Sequence, residues 1–154
     1  MKAEFINPFV KATYDVFSTM LNCQLSRGEL SLNSGFQPDY DVSGVIGLTG
    51  KASGSVVVSL EKGVALSATE ALIGSTADTL NEDVVDAVGE LTNMIAGSAK
   101  AALANLEMSI SLPNVIAGKN HVISFGSTAQ TICVPFTCTW GKLSVEVGLA
   151  DTAE

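Results

Sequence analysis

Between Asn81 and Leu106 the chain keeps one period longer than anywhere else: Val84, Val88, Leu91, Ile95, Ala99, Ala102 and Leu106 recur at steps of three and four. That spacing is the apolar stripe of an amphipathic helix, and a helix of this length needs a broad apolar surface to lie on. Asn81 supplies an N-cap and Glu82-Asp83 an acidic first turn, so the start is well marked. The opposite face reads Asp86, Glu90, Asn93, Gly97 and Lys100, and Glu90 and Asn93, three apart, project side by side.

The surface for that helix comes from period-two segments. Val42 to Leu60 alternates like a strand and is broken at Gly50-Lys51 into a hairpin. Leu30 to Phe36 reads as a further strand. Met108, Ile110 and Leu112, then Ile132 to Trp140, then Val145, Val147 and Leu149 form three more alternating sets. Two other helices are expected. One runs from Pro8 to about Gln24, with Asn7 as N-cap and Pro8 at the first helical position, and another from Val64 to Ile73, stopped by Gly74. With 154 residues this is one domain spanning 1–154, of α/β class and α+β type, with long helices on an antiparallel sheet. Ser55 to Leu60 is echoed by Ser144 to Leu149, and Glu4-Phe5-Ile6-Asn7 by Glu90-Leu91-Thr92-Asn93, at nearly equal offsets, which favours an internal duplication.

Several classes of function are excluded. The longest unbroken apolar run is Ala101 to Ala104, too short to span a membrane, and the start of the chain lacks the apolar stretch of a secretory signal, so a cytoplasmic protein is expected. Eight Lys and Arg against sixteen Asp and Glu leave a net charge of −8 with no basic cluster, which argues against nucleic acid. Three cysteines suggest free thiols. Cys133 and Cys138, five apart in a strand, point to opposite faces and should not share a metal, and Cys23 is expected in the core. With His121 the only imidazole, a thiolate and imidazole zinc site lacks ligands, and no nucleophile elbow or phosphate-binding glycine loop is present.

The long helix therefore carries the candidate chemistry. Gly89 and Gly97 sit inside it although each costs about 1 kcal/mol relative to Ala. Bare positions on either side of a carboxylate and an amide would let another molecule approach closely. The stretch Asn81 to Gly97, with Val88-Gly89-Glu90-Leu91-Thr92-Asn93-Met94-Ile95-Ala96-Gly97 at its centre, closely resembles the CheX proteins of the CheC/CheX/FliY family of chemotaxis phosphatases. The opening Glu4 to Pro8, Val42 to Gly50 and Ser109 to Pro113 share the resemblance.

That resemblance implies a pseudo-duplicated CheC/CheX-like fold and removal of phosphate from the aspartate of a CheY-like response regulator. Asn93 would position the attacking water and Glu90 would contact the regulator, with Asp86, Gly89, Gly97 and Lys100 as partner-binding surface. It implies no cofactor on this chain, Mg²⁺ on the phosphorylated partner, and a homodimer made by sheet extension. Glu4 and Asn7 repeat the motif but are expected to be a degenerate second site, because an N-cap at Asn7 leaves Glu4 outside the helix. The alternative is a non-catalytic module that binds a response regulator, or a flagellar or signalling scaffold.

Overall fold

The structure, a computed structural model, describes residues 3–32, 36–37, 40–119, 121–123 and 130–152. Three helices, α1 (Ala3–Met20), α2 (Lys62–Ile73) and α3 (Glu82–Ala102), lie over an antiparallel sheet. The strands are β1 (Ser26–Arg27), β2 (Ser31–Leu32), β3 (Phe36–Gln37), β4 (Val42–Thr49), β5 (Ala52–Leu60), β6 (Ser109–Ile110), β7 (Asn114–Ala117), β8 (His121–Val122), β9 (Thr131–Cys138) and β10 (Gly141–Asp151). Eight of them form one sheet in the order β1-β9-β10-β5-β4-β6, with β2 also on β9 and β7 also on β4, while β3 pairs with β8. Among the described residues no helix is long and apolar enough to cross a membrane.

One face of the sheet presents Ile46 and Leu48, Val56 and Val58, Val145 and Val147 to the helices, and α1 and α3 close the core with Phe9, Phe17, Leu91 and Ile95. The expected stripe on α3 is buried from Val84 to Ala99. It departs from expectation at its end, where Ala102 is exposed. The α-helix stops there, and Leu103 and the 3₁₀ turn Ala104–Leu106 bury Leu103 and Leu106 instead. Asn81 caps α3 by accepting from Val84 N–H at 3.1 Å. Gly74, at φ 72°, ends α2 in the left-handed conformation glycine adopts most readily.

The hairpin at Gly50-Lys51 is present, and the strand expected over Leu30 to Phe36 is instead β2 and β3, two residues each, with 33–35 outside the described residues. The set Met108 to Leu112 pairs only over Ser109–Ile110, and Leu112 stands out of the sheet. Cys138 packs against the core and Cys133 lies on the other face, as the alternation requires.

The largest correction concerns α1. It begins at Ala3, so Pro8 lies inside it and Asn7 is a helical residue rather than an N-cap. Pro8 removes one early backbone bond and crowds the carbonyl of Glu4, at a cost of about 3 kcal/mol. Extending the helix towards the N-terminus buries Phe5 and Ile6, and fully burying two such side chains is worth about 3–6 kcal/mol. Burial of the two side chains outweighs the proline and sets the start.

Strands β5 and β10 make the duplication visible. Their antiparallel register places Val57 opposite Glu146, Ser55 opposite Gly148 and Ser59 opposite Ser144. Residues eighty-nine apart are the matched pairs of the sequence echo, and Val57 and Glu146 are both matched and directly opposed. A local two-fold axis through that pair therefore relates the two strands. A second sequence echo, at an offset of eighty-six, links the start of α1 with the middle of α3.

Candidate functional site

A glycine in the sheet brings α3 down to its seat. Gly44 on β4 faces Thr92, and a Cβ added there would fall on Thr92 Oγ1 and within 2.9 Å of its Cβ. Thr92 is fully buried, and its hydroxyl donates to the Val88 carbonyl at 2.7 Å, which is how a polar side chain is tolerated at that contact. The next residue, Asn93, is thereby fixed in height and rotation at the outer edge of the helix.

Along the outer face Asp86, Glu90 and Lys100 are exposed and Asn93 and Gly97 are half-buried. No hydrogen bond or ion pair among the described residues engages the side chains of Asp86, Glu90, Asn93 or Lys100. An uncommitted carboxylate and an uncommitted amide thus stand one turn apart. The carboxylate offers acceptors for a cation, and the amide offers one acceptor and two donors at one place.

The two helical glycines serve different ends. Gly89 is buried, and a Cβ there would lie 3.6 Å from Pro113 Cγ and from Val115 Cγ2. Gly89, expected as open partner-binding surface, is instead buried beside the connection between β6 and β7, where an added Cβ would meet ordinary contacts, and it borders the cleft at Glu90. Gly97 has no heavy atom within 4 Å of an added Cβ, so nothing in the described chain accounts for its lack of a side chain. A cleft of about 340 Å³ runs between Asp86, Gly89 and Glu90 on the helix and Pro113 and Asn114 beside it. A second, of about 330 Å³, opens beyond Gly97 between Lys100, Ala104 and Met108. The clefts flank Asn93 along the helix.

Other sequence candidates fall elsewhere. Glu4 and Asn7 are both exposed residues of α1 and share a face one turn apart, which corrects the expectation that Glu4 lies outside the helix. His121 Nε2 is 2.7 Å from Ser43 Oγ, but Ser43 is fully buried and bonded at 2.7 Å to Ser59 Oγ, while His121 Nδ1 meets the Gly118 carbonyl at 2.6 Å. That pair holds structure and offers no accessible nucleophile. Cys23 is buried, and its thiol is pushed up to about 11 by burial and by hydrogen bonding to the Cys138 thiol, a contact between chain segments too distant for the sequence to suggest. Among the described residues no cluster of His, Cys, Asp and Glu is arranged to hold a metal ion.

The family model described as "Chemotaxis phosphatase CheX" matches residues 42–137, a range that includes all of α3. The CheY-P phosphatase CheX of Thermotoga maritima is 31% identical over 130 residues, covering 82% of this chain and 84% of the relative. The chain belongs to the chemotaxis phosphatase CheX family. Its fold is that of a CheC-like superfamily protein from Shewanella sp. PV-4, with a TM-score of 0.89 and 35% identity over 97% of this chain and 99% of the other. A CheX–CheY–BeF3–Mg²⁺ complex from Borrelia burgdorferi contains a chain of the same fold, with a TM-score of 0.82 and 24% identity over 97% of this chain and 100% of that one. Membership places the exposed Glu90 and the half-buried Asn93 on a fold whose family carries a phosphatase activity.

Proposed function

We propose that this chain hydrolyses the aspartyl phosphate of a CheY-like response regulator, with Asn93 positioning the attacking water and Glu90 holding the regulator in register. The observation that carries the reading is the pair itself: an amide and a carboxylate, side by side and unengaged, on a helix whose height the Gly44–Thr92 contact fixes. The family description and the Thermotoga relative support the reaction class.

Hydrolysis needs a water in line with the bond between phosphorus and the aspartyl oxygen. Asn93 accepts one hydrogen bond from that water through its amide oxygen and orients it, as a glutamine does in GTPases. Water oxygen then bonds to phosphorus, the aspartate carboxylate leaves with the electron pair, and inorganic phosphate is released. Nothing covalent forms on this chain. Mg²⁺ bound by the regulator neutralises phosphate charge when present, so this chain contributes position rather than metal. Holding a water in near-attack geometry removes on the order of 7 kcal/mol from a barrier. Glu90, one turn away, pairs with a basic side chain beside the regulator's phosphorylation site. Asp86 and Lys100 extend that contact along the same face, and a homodimer formed at the sheet edge carrying β6 and β7 belongs to the same reading.

Glu4 and Asn7 have the right spacing for a second pair, but the place matched to the open Gly97 is held by Lys11, whose exposed side chain bonds to Asp15 at 2.7 Å. A close approach over Asn7 meets that side chain. The test is decay of phosphate on a cognate regulator with catalytic amounts of protein. The intact protein and Asn7→Ala turn over repeatedly, Asn93→Ala does not while keeping its fold, and Glu90→Ala loses turnover mainly through weaker docking. Phosphate protected or unaffected by the intact protein makes the chain a docking module, and full turnover by Asn93→Ala removes the assigned role.

A further inference from the structure

The turn between β9 and β10 is seated on the first turn of α2. At Gly63 an added Cβ would lie 2.7 Å from the Trp140 carbonyl oxygen, so helix and turn backbone meet closely there. Glu61 Oε1 accepts from Lys142 N–H at 2.6 Å and fixes the other side of the turn. Ser67, Glu70 and Ala71 follow Gly63 on the same face of α2 and, with Trp140, line a cleft of about 360 Å³. Glu70 stands two helical turns, about 10 Å, beyond the glycine that meets the Trp140 backbone. The indole is therefore the part of Trp140 that reaches the cleft, half-buried and packed on its inner side against the core. Among the described residues no ring or cation stacks on it, and the indole N–H, the Ser67 hydroxyl and the Glu70 carboxylate make no hydrogen bond or ion pair.

We propose that the cleft between Trp140 and Glu70 is a docking site for an arginine side chain presented by a protein partner. It shares no residue with the two clefts that flank Asn93 and none with β6 or β7, so the inference stands apart from the phosphatase reading and from the sheet edge given to the homodimer. Charge and shape together choose this occupant. An aromatic face beside an unpaired carboxylate suits a cation, and a chain of net charge −8 draws a basic partner. A guanidinium is planar, so it stacks on the indole while its forked N–H groups reach the Glu70 carboxylate, and the Ser67 hydroxyl can accept another. An ammonium is a compact, strongly hydrated point charge and does not serve both walls at once. The volume is at the low end for a small-molecule pocket, which suits one side chain rather than a cofactor.

The experiment uses the intact, isotope-labelled protein and short blocked glycine peptides carrying one arginine, lysine or citrulline. Trp140 is the chain's one tryptophan, so its indole N–H gives a single resonance to follow by NMR. The arginine peptide moves that resonance saturably, with a Kd of about 1 mM. The lysine peptide binds about fivefold or more weakly, and citrulline, which keeps the shape and loses the charge, gives no saturation. Glu70→Gln, at an exposed position, keeps its melting temperature and weakens the arginine peptide by about fivefold or more. No saturable shift up to about 10 mM arginine peptide refutes the site. An equal response to citrulline, or an unchanged Kd in Glu70→Gln, refutes it as well. Arg27 is the chain's one arginine: an indole resonance that moves with protein concentration, and stops moving in Arg27→Gln, assigns the cleft to a second copy of this chain and refutes the separate partner.

Discussion

Replacing Gly97 by Ala separates what the helix needs from what its partner needs. In a helix interior Gly is about 1 kcal/mol worse than Ala, and that gain is collected in full only where the new methyl strains nothing. At Gly97 an added Cβ meets no heavy atom within 4 Å, and the residue's φ lies outside the left-handed region. The free protein is therefore expected to gain up to about 1 kcal/mol, which raises the melting temperature by about 2–4 °C in a chain of this size. Docking gives the opposite sign. The methyl stands one turn beyond Asn93, where the regulator's backbone would come closest, and one extra carbon in a well-packed contact costs about 1–3 kcal/mol. That corresponds to a loss of roughly fivefold to 150-fold in kcat/KM. The assays are a thermal melt of the free protein and phosphate release from a phosphorylated regulator. A more stable mutant with undiminished kcat/KM refutes the docking role of this face, and a less stable mutant refutes the claim that the position is open within the chain.

Two further perturbations test the parts that support the site. Gly44→Ala drives a methyl into Thr92 and is expected to destabilise the protein by about 1–3 kcal/mol and to lower turnover by displacing Asn93; adding Thr92→Ala restores part of both, and a single mutant with unchanged denaturant midpoint and turnover contradicts the contact. Burial and the Cys138 thiol raise the Cys23 thiol from its ordinary value near 9 to about 11, so the folded state holds a proton that the unfolded state releases first. Stability then falls as pH rises from about 9 through about 11, a decline that Cys23→Ala abolishes. Iodoacetamide labelling of the folded protein at pH 8 reaches Cys23 slowly, whereas labelling as fast as in denaturant contradicts its burial.

How much of the molecule is legible in the sequence depends on the range of the interaction that decides each feature. The start of α3 is legible because its cap, acidic turn and apolar period are all local and agree with one another. The start of α1 is not, because the local signal, Asn before Pro, competes with burial of Phe5 and Ile6 against distant parts of the chain, and burial is worth more. Strands β1 and β8, two residues each, have no period of their own and exist only through their partners. Gly89 and Gly97 look alike in the sequence, and only the arrival of Pro113 at one of them tells a packing glycine from an open one. The Gly44 contact that sets the height of Asn93 leaves no local trace at all, since a glycine in a strand gives no sign of which helix residue it will meet.

The sequence echo bears on the proposed assignment of one Glu-x-x-Asn pair, and not its copy, to a partner. Both pairs lie one turn apart on helices whose sequences echo each other, so motif and secondary structure do not distinguish them. The surroundings do. Around α3 the position one turn beyond Asn93 is the open Gly97, and the one before Glu90 is the buried Gly89, beside Pro113. The matched places on α1 are Lys11, which is long and paired to Asp15, and Ala3, at the very start of the helix. The echo gives two copies of the pair, but an approach to within hydrogen-bonding distance of an amide also needs an open neighbour, and Gly97 supplies one on α3 where α1 carries Lys11. In the proposed site the discriminating feature is therefore the empty position at Gly97 as much as the carboxylate and amide, which is why filling that glycine tests the reading more sharply than removing the pair.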